Sequence, residues 1–448
     1  MKKSAIFLGL VMMITGFCID VSAAPADAVG YLNSETAVLM DAETGTVLYD
    51  KNMHRQMHPA SITKIMTGML ALELCDTDEV MTASYNAVYS LPYNTSHIAL
   101  EQGEQFTLEQ GLYALGIESA NDAANVIAEH IGGTTEAFAT AMTQRARQLG
   151  ALNTNFTNPH GLPDDSHYTT AYDMALITSA AINTKNFNDY FSANRYDMSV
   201  TNIRSEMRQF WNANSFLNGY EDYEGVLMSK TGWTTEAQHT LVTAAERDGM
   251  TLVAVVMSST GKNSKYDDTI ALLDYGFENY SRLELSADYI NSQLPVEVVL
   301  SDGRKVTVAK ESFLNGSATV VAPKGAQAGD ISISLGTGML NAAGDVATAD
   351  VQFMYSQNGG KIPCGKETVT LLLATAVEDD GFDIMAFASK AGFVILNIFL
   401  WGVIVLLVYI ALKQLVILEN RRRIRKKRAA QRRAKRQKEQ SERTIYHK

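Results

Sequence analysis

Cysteine is scarce in this sequence, and so is any excess of basic charge over the chain as a whole. Three cysteines in 448 residues cannot form a disulfide framework or a four-cysteine zinc site. A formal net charge of −11 argues against a nucleic-acid binder. The apolar fraction of 46% is ordinary, which excludes a disordered chain. No internal repeat stands out, so a solenoid is not indicated. What remains is a folded protein whose length predicts two or more units.

Both ends differ from the middle. Residues 1–23 start with Lys2 and Lys3, run apolar from Ala5 to Cys18, and reach Val21-Ser22-Ala23. That is the layout of a secretory signal with its cleavage site. Cys18 would leave with the signal, and the remaining Cys75 and Cys364 are expected to be unpaired. Residues 391–412, Ala391 to Leu412, carry no charge. As a helix they would extend about 33 Å, enough for a hydrocarbon core of about 30 Å. Between Arg421 and Lys438, 12 of 18 residues are basic. Basic residues flanking a span stay on the cytoplasmic side, so the tail 413–448 is expected inside and everything before the span outside. The expectation is a single-pass cell-membrane protein with an extracytoplasmic body, held through its C-terminal helix. The body is more acidic than the average suggests. Residues 24–412 hold 21 basic against 45 acidic residues, a net of −24, while the tail holds 15 against 3, a net of +12.

Within the exported part, β-patterned runs lie at both ends of a helical stretch. Ala37 to Met40, a turn over Asp41 to Gly45, and Thr46 to Tyr49 read as a hairpin. Near residue 226 come Val226-Leu227-Met228, then His239 to Ala244, then Leu252 to Met257. This predicts an antiparallel sheet closed by both ends of residues 24–283, with helices packed on its faces, an α/β (α+β) arrangement. From about 284 to 380 valine-rich alternating runs such as Val296 to Leu300 and Lys305 to Val308 replace helical periodicity. They predict a small all-β stem domain with turns at Asp302-Gly303 and Asn315-Gly316.

Three short motifs carry chemistry. Ser61-Ile62-Thr63-Lys64 opens a helix, and a spacing of three puts Ser61 and Lys64 on one face. The N–H groups at that helix start favour negative charge on the Ser61 oxygen. A lysine buried beside it can shed its proton near neutral pH and serve as base. Ser119-Ala120-Asn121 lies between two helical segments, the second starting at Asp122, so a tight loop can aim two polar side chains at one point. Lys230-Thr231-Gly232 follows the strand Val226 to Ser229, where Gly232 allows close approach of a substrate backbone. These three motifs in this order are the constellation of penicillin-binding proteins and class A β-lactamases.

The sequence resembles the low-molecular-mass penicillin-binding proteins, specifically the serine-type D-alanyl-D-alanine carboxypeptidases of peptidase family S11. The resemblance covers roughly residues 30 to 380. It extends to the hairpin at Asp41 to Gly45, to Asn158-Pro159-His160-Gly161-Leu162 and to Tyr168 through Met174. It implies a penicillin-binding/β-lactamase-like fold and an acyl-enzyme at Ser61, formed on peptidoglycan stem peptides ending in D-Ala-D-Ala. β-Lactam antibiotics would acylate the same serine. Lys64 is the candidate base, Ser119 a proton donor to the leaving amine, and Asn121 orients Lys64 or the substrate amide. Lys230, Thr231 and Lys265 would face the substrate carboxylate, and the backbone N–H groups of Ser61 and Trp233 would form the oxyanion hole. His160 would border the cleft.

No cofactor is called for. His160 and His167, seven residues apart, come without a carboxylate or cysteine ligand pattern, so no metal is expected. Three other readings stay open. A D,D-endopeptidase would use the same residues. A β-lactamase would need a dedicated deacylating base, and no Glu-x-x-Leu-Asn segment follows Ser119 within residues 24–283. A non-catalytic wall-binding protein would be favoured by loss of Ser61, Lys64 or Lys230, all of which are present.

Overall fold

A computed structural model describes residues 29–374, apart from positions 302, 314, 342, 358 and 359. The expected signal 1–23 with Cys18, the last stem residues 375–380, the span 391–412, the tail 413–448 and Asp302 of the first stem turn lie outside the described residues. Among the described residues no helix is long and apolar enough to cross a membrane. Cys75 and Cys364 are both free thiols.

The body is built on a five-stranded antiparallel sheet. Its spatial order is Val47–Lys51, Ser34–Asp41, Met250–Ser259, Gln238–Arg247 and Val226–Thr234. The first two strands form the expected hairpin, closed by Asp41 Oδ1 accepting from Thr44 N–H at 2.8 Å. The apolar runs in these strands are continuous rather than alternating because both sheet faces are covered. Successive side chains point to opposite faces. Val38, Met40, Val253, Val255 and Met257 therefore join one core, and Ala37, Leu39, Leu252, Ala254 and Val256 join the other. The helices Lys64–Leu74, Asn121–Gly132, Thr135–Gln148 and Ala171–Ile182 fill the first core. The helix Ser264–Asn279 covers the second through Leu272, Leu273 and Phe277. Each such side chain contributes about 1.5–3 kcal/mol by leaving water.

Two local expectations change. The strand expected to stop at Ser229 continues through Lys230-Thr231-Gly232 to Thr234. Pairing with Gln238–Arg247 continues to Thr234↔Gln238 and carries the motif along the sheet edge. The helix Ser264–Asn279 also leads directly into the β-rich unit, whose first strand, Tyr280–Ser286, spans the expected boundary between residues 283 and 284. That strand pairs with Ser317–Pro323. A five-stranded sheet follows, in the order Glu297–Val299, Lys305–Phe313, Gly360–Leu373, Val346–Gln357, Ile331–Leu340. The unit is not wholly β, because Ala287–Gln293 is helical, capped by the Ser286 side chain accepting from Tyr289 N–H. Ile290 is its one buried residue, so no apolar stripe announced it.

The β-unit is joined to the body by more than the chain. Val321 shares a core with Leu39 and Leu252. Arg282 pairs with Glu43 and reaches Asp41 at 3.8 Å, so the hairpin of the body and the first strand of the β-unit are tied by charge.

Candidate active site

The nucleophile motif sits where a strained turn feeds a buried helix. Ala60 takes φ 52, a left-handed conformation costly for a residue with a side chain. Ala60–Thr63 form a 3₁₀ turn, and the α-helix begins at Lys64. Ser61 is thus a residue of the turn rather than of the α-helix. The turn is held from several directions. Thr240 Oγ1 donates to Pro59 O at 3.0 Å, anchoring it to the sheet. Thr63 Oγ1 donates to Ala60 O at 2.8 Å and meets His167 Nε2 at 3.0 Å. Two glycines let backbone approach from either side. A Cβ on Gly161 would lie 1.9 Å from Ala60 O, and one on Gly232 would lie 2.8 Å from Ser61 N. The space left by Gly232 is therefore filled by the nucleophile turn of the protein itself.

Lys64 is fully buried and its Nζ has three partners. Ser61 Oγ lies at 3.1 Å, Asn121 Oδ1 at 2.7 Å and the carbonyl oxygen of His160 at 2.8 Å. Burial holds its pKa well below the ordinary lysine value, and the nearby Lys230 charge lowers it further. The loop around His160 is shaped for this contact. Asn158 Oδ1 accepts from Gly161 N–H at 2.7 Å, and Asn158 Nδ2 donates to Leu162 O at 3.0 Å. His160 thus serves through its backbone. Its ring Nδ1 accepts from Leu162 N–H, and burial pushes its pKa well below the usual histidine value. The ring is not among the described residues that line the cleft.

A second cluster forms beside the first. Ser119 adopts φ 55 after the single π-turn Ala114–Glu118, and Asn121 is already the first residue of the next helix. Lys230 Nζ donates to Ser119 Oγ at 2.9 Å and to Thr231 O at 3.1 Å. Burial, with Lys265 nearby, lowers the Lys230 pKa to about 7. Lys265, at the start of the helix Ser264–Asn279, is buried as well and is lowered to about 8 by desolvation and then by Lys262. A cleft of about 450 Å³ opens over these groups, lined by Ser61, Ser119, Lys230, Thr231, Gly232, Trp233 and Lys265 among others. Val226–Thr234 is the edge strand of the sheet, and an edge can pair with an extended peptide.

Sequence reasoning missed several lining residues: Glu118, Trp211, Asn214, Ser229, His239 and Lys262. Glu118 adjoins the Ser-x-Asn triplet and could have been noticed by position. Ser229 likewise adjoins the Lys-Thr-Gly triplet and Lys262 lies three residues before Lys265, whereas Trp211, Asn214 and His239 belong to no motif. Asn214 Nδ2 donates to Ser229 Oγ at 2.9 Å, which in turn meets Thr243 Oγ1 at 2.9 Å, so a polar ladder backs the edge strand. The pattern search also passed over Cys75, Glu79 and His130, whose potential metal-ligand atoms lie within 4.8 Å of one another. They lie where the helices Lys64–Leu74 and Asn121–Gly132 end, away from the ends that bear Lys64 and Asn121.

Comparison with known proteins bears on the family and the fold. The profile of the peptidase S11 family, described as D-alanyl-D-alanine carboxypeptidase, matches residues 21–261. The D-alanyl-D-alanine carboxypeptidase DacF of Bacillus subtilis is 33% identical over 61% of this chain and 68% of its own length. DacA of Escherichia coli is 29% identical over 69% of this chain and 80% of its own length. Penicillin binding protein 5 from Haemophilus influenzae superposes with a TM-score of 0.60 at 26% identity, over 76% of this chain and 97% of that one. The chain therefore belongs to the peptidase S11 family, the D-alanyl-D-alanine carboxypeptidases, and is a serine hydrolase built on the penicillin-binding protein fold.

Proposed function

We propose that the cleft removes the terminal D-alanine from peptidoglycan stem peptides through an acyl-enzyme at Ser61. The observation that carries this reading is the set of partners around Lys64 Nζ. Two of the three, Asn121 Oδ1 and His160 O, can only accept hydrogen bonds, and the third is the Ser61 hydroxyl. A neutral lysine donates its two N–H bonds to the pure acceptors and turns its lone pair to Ser61. Its buried position and depressed pKa favour that neutral form.

The reaction follows from these roles. As Ser61 Oγ bonds to the carbonyl carbon of the penultimate D-alanine, its proton passes to Lys64. The backbone N–H groups of Ser61 and Trp233 stabilise the oxyanion. Collapse breaks the C–N bond, and the leaving amine takes the proton that Lys64 accepted, relayed through Ser119, which is held by Lys230; Lys64 is neutral again. Water then adds to the ester, giving Lys64 a proton that passes back to the Ser61 oxygen as the acyl C–O bond breaks and the shortened peptide leaves. Lys230, Thr231 and Lys265 bind the terminal carboxylate of the substrate. Penicillins acylate the same serine and leave slowly, since no Glu-x-x-Leu-Asn segment follows Ser119 within residues 24–283 to supply a deacylating base.

The export and membrane-span readings of residues 1–23 and 391–412 complete the proposal, with the cleft on the extracytoplasmic face and the basic tail inside. The central test incubates the purified chain with a pentapeptide-stem muropeptide and with labelled penicillin, alongside Ser61→Ala. The wild type is expected to release D-alanine and hold the label, and the variant to do neither. Labelling of the variant would remove Ser61 from the role, and rapid turnover of the penicillin adduct would favour a lactamase. Release of the chain from membranes by alkaline washing would sink the anchoring reading.

A further inference from the structure

The charges around the cleft are unevenly distributed. Lys230, Lys262 and Lys265 line it, whereas Glu118 is the only carboxylate among the described lining residues. The lysines answer to a substrate carboxylate. A carboxylate left in a site built to receive one weakens binding of that anion by repulsion, unless the substrate also brings a cation to meet it.

Glu118 is held in place without being neutralised. Its Oε1 accepts from Trp211 N–H at 3.0 Å, and it forms no ion pair among the described residues. The two arginines of the adjacent hairpin Arg195–Met198 and Arg208–Trp211 are engaged elsewhere. Arg195 pairs with Asp197 at 2.8 Å and stacks over the Trp211 ring at 4.5 Å. Arg208 is buried against Glu104 at 2.8 Å. Trp211 itself is 56% exposed where it lines the cleft. A half-buried carboxylate beside an exposed indole offers two attractive features to an ammonium group. Glu118 also immediately precedes Ser119, so it is fixed beside the acid–base pair Ser119 and Lys230.

We infer that Glu118, with Trp211 beside it, forms a subsite for a free amino group on the acyl-donor part of the substrate. The ligand it fits is a stem peptide whose residue before the two D-alanines is dibasic and keeps its side-chain amine uncapped. The inference rests on the carboxypeptidase reading above and deepens it: the lysines select the C-terminal carboxylate, and Glu118 selects a positive charge upstream.

Two substrates that differ only at the amine test this, Nα-acetyl-Lys-D-Ala-D-Ala and Nα,Nε-diacetyl-Lys-D-Ala-D-Ala, with D-alanine release measured on the purified chain. The wild type is expected to favour the free amine in kcat/KM by about threefold to fivefold, the upper range for a partly exposed ion pair. The preference should sit in KM, since the amine takes no part in the chemical step. It should also fall toward unity in about 1 M salt, where screening acts over roughly 3 Å. Glu118→Gln keeps an oxygen acceptor for Trp211 N–H and should bring the ratio to about one, and Glu118→Lys should invert it. Labelling by penicillin and a cooperative melt check that each variant is folded. Release of D-alanine by the wild type with no preference, or an undiminished preference in folded Glu118→Gln, overturns the subsite and leaves the carboxypeptidase reading standing. Failure of the wild type to release D-alanine from either substrate overturns both.

Discussion

The body and the β-unit solve opposite problems with similar antiparallel sheets. Every buried polar or charged side chain among the described residues lies between Ser34 and Thr269, and the β-unit from Tyr280 onward buries apolar side chains such as Phe353, Val369 and Leu371. The body takes on the cost of enclosing Lys64, Lys230 and Lys265, and supplies partners that make the cost useful. The β-unit carries no such cost. The body fills two cores around its sheet and encloses cations between them and solvent, whereas the β-unit buries apolar side chains alone.

The sharpest way to break this contrast is to remove the buried Lys64. Lys64→Met should lower acylation by penicillin by about a thousandfold or more, as loss of a nucleophile-activating group does. Stopped-flow acylation measures it, and a reduction under tenfold would show that Lys64 is structural. A deletion in the β-unit should do the reverse. Phe353→Ala removes a fully buried ring and should cost about 3–5 kcal/mol of stability. In the folded fraction the acylation rate should be unchanged, and a parallel loss of rate would tie the β-unit to catalysis.

A smaller effect tests the burial cost itself. The folded-state pKa values of Lys230, about 7, and Lys265, about 8, lie below the 10.5 of free lysine. Between those limits the folded state binds fewer protons than the unfolded one, so stability rises as pH increases from 7 toward 10. Denaturation midpoints at pH 7 and pH 9 should show this. Lys230→Met should raise stability at pH 7 by roughly 1–3 kcal/mol and flatten the pH dependence, while weakening substrates that end in a carboxylate. A destabilised Lys230→Met would show that the cation is repaid in full by Ser119 and Thr231.

The pH–rate profile is the mildest test. kcat/KM should rise as Lys64 loses its proton, below the ordinary lysine range, and fall as Lys230 and Lys265 lose theirs near pH 7–8 in the free enzyme. In Lys265→Met the alkaline limb should simplify to a single ionisation.

Much of the body was legible in the sequence because its signals are local. The hairpin, the three strands at the far end and the order of the three motifs follow from periodicity and spacing within a few residues. The limits of the Lys230 strand and the short helix Ala287–Gln293 were not legible. The first depends on a partner strand, and the second buries a single residue. His160 shows the same limit in the site. The resemblance put it at the border of the cleft, and what reaches Lys64 is its carbonyl oxygen, a group every residue possesses.

The sequence by itself determined which chemical groups are available: a serine and lysine three apart, a second serine with an asparagine, and a lysine before a glycine. Covalent order and helical or extended spacing are enough for that. Only the tertiary structure decided what those groups are at neutral pH. The loss of water around Lys64 and Lys230, the carbonyl of His160 and the Trp211 backbone that holds Glu118 come from segments far apart in the chain. Desolvation and charge proximity are properties of the packed molecule, and they move the lysine pKa values away from those of free lysine.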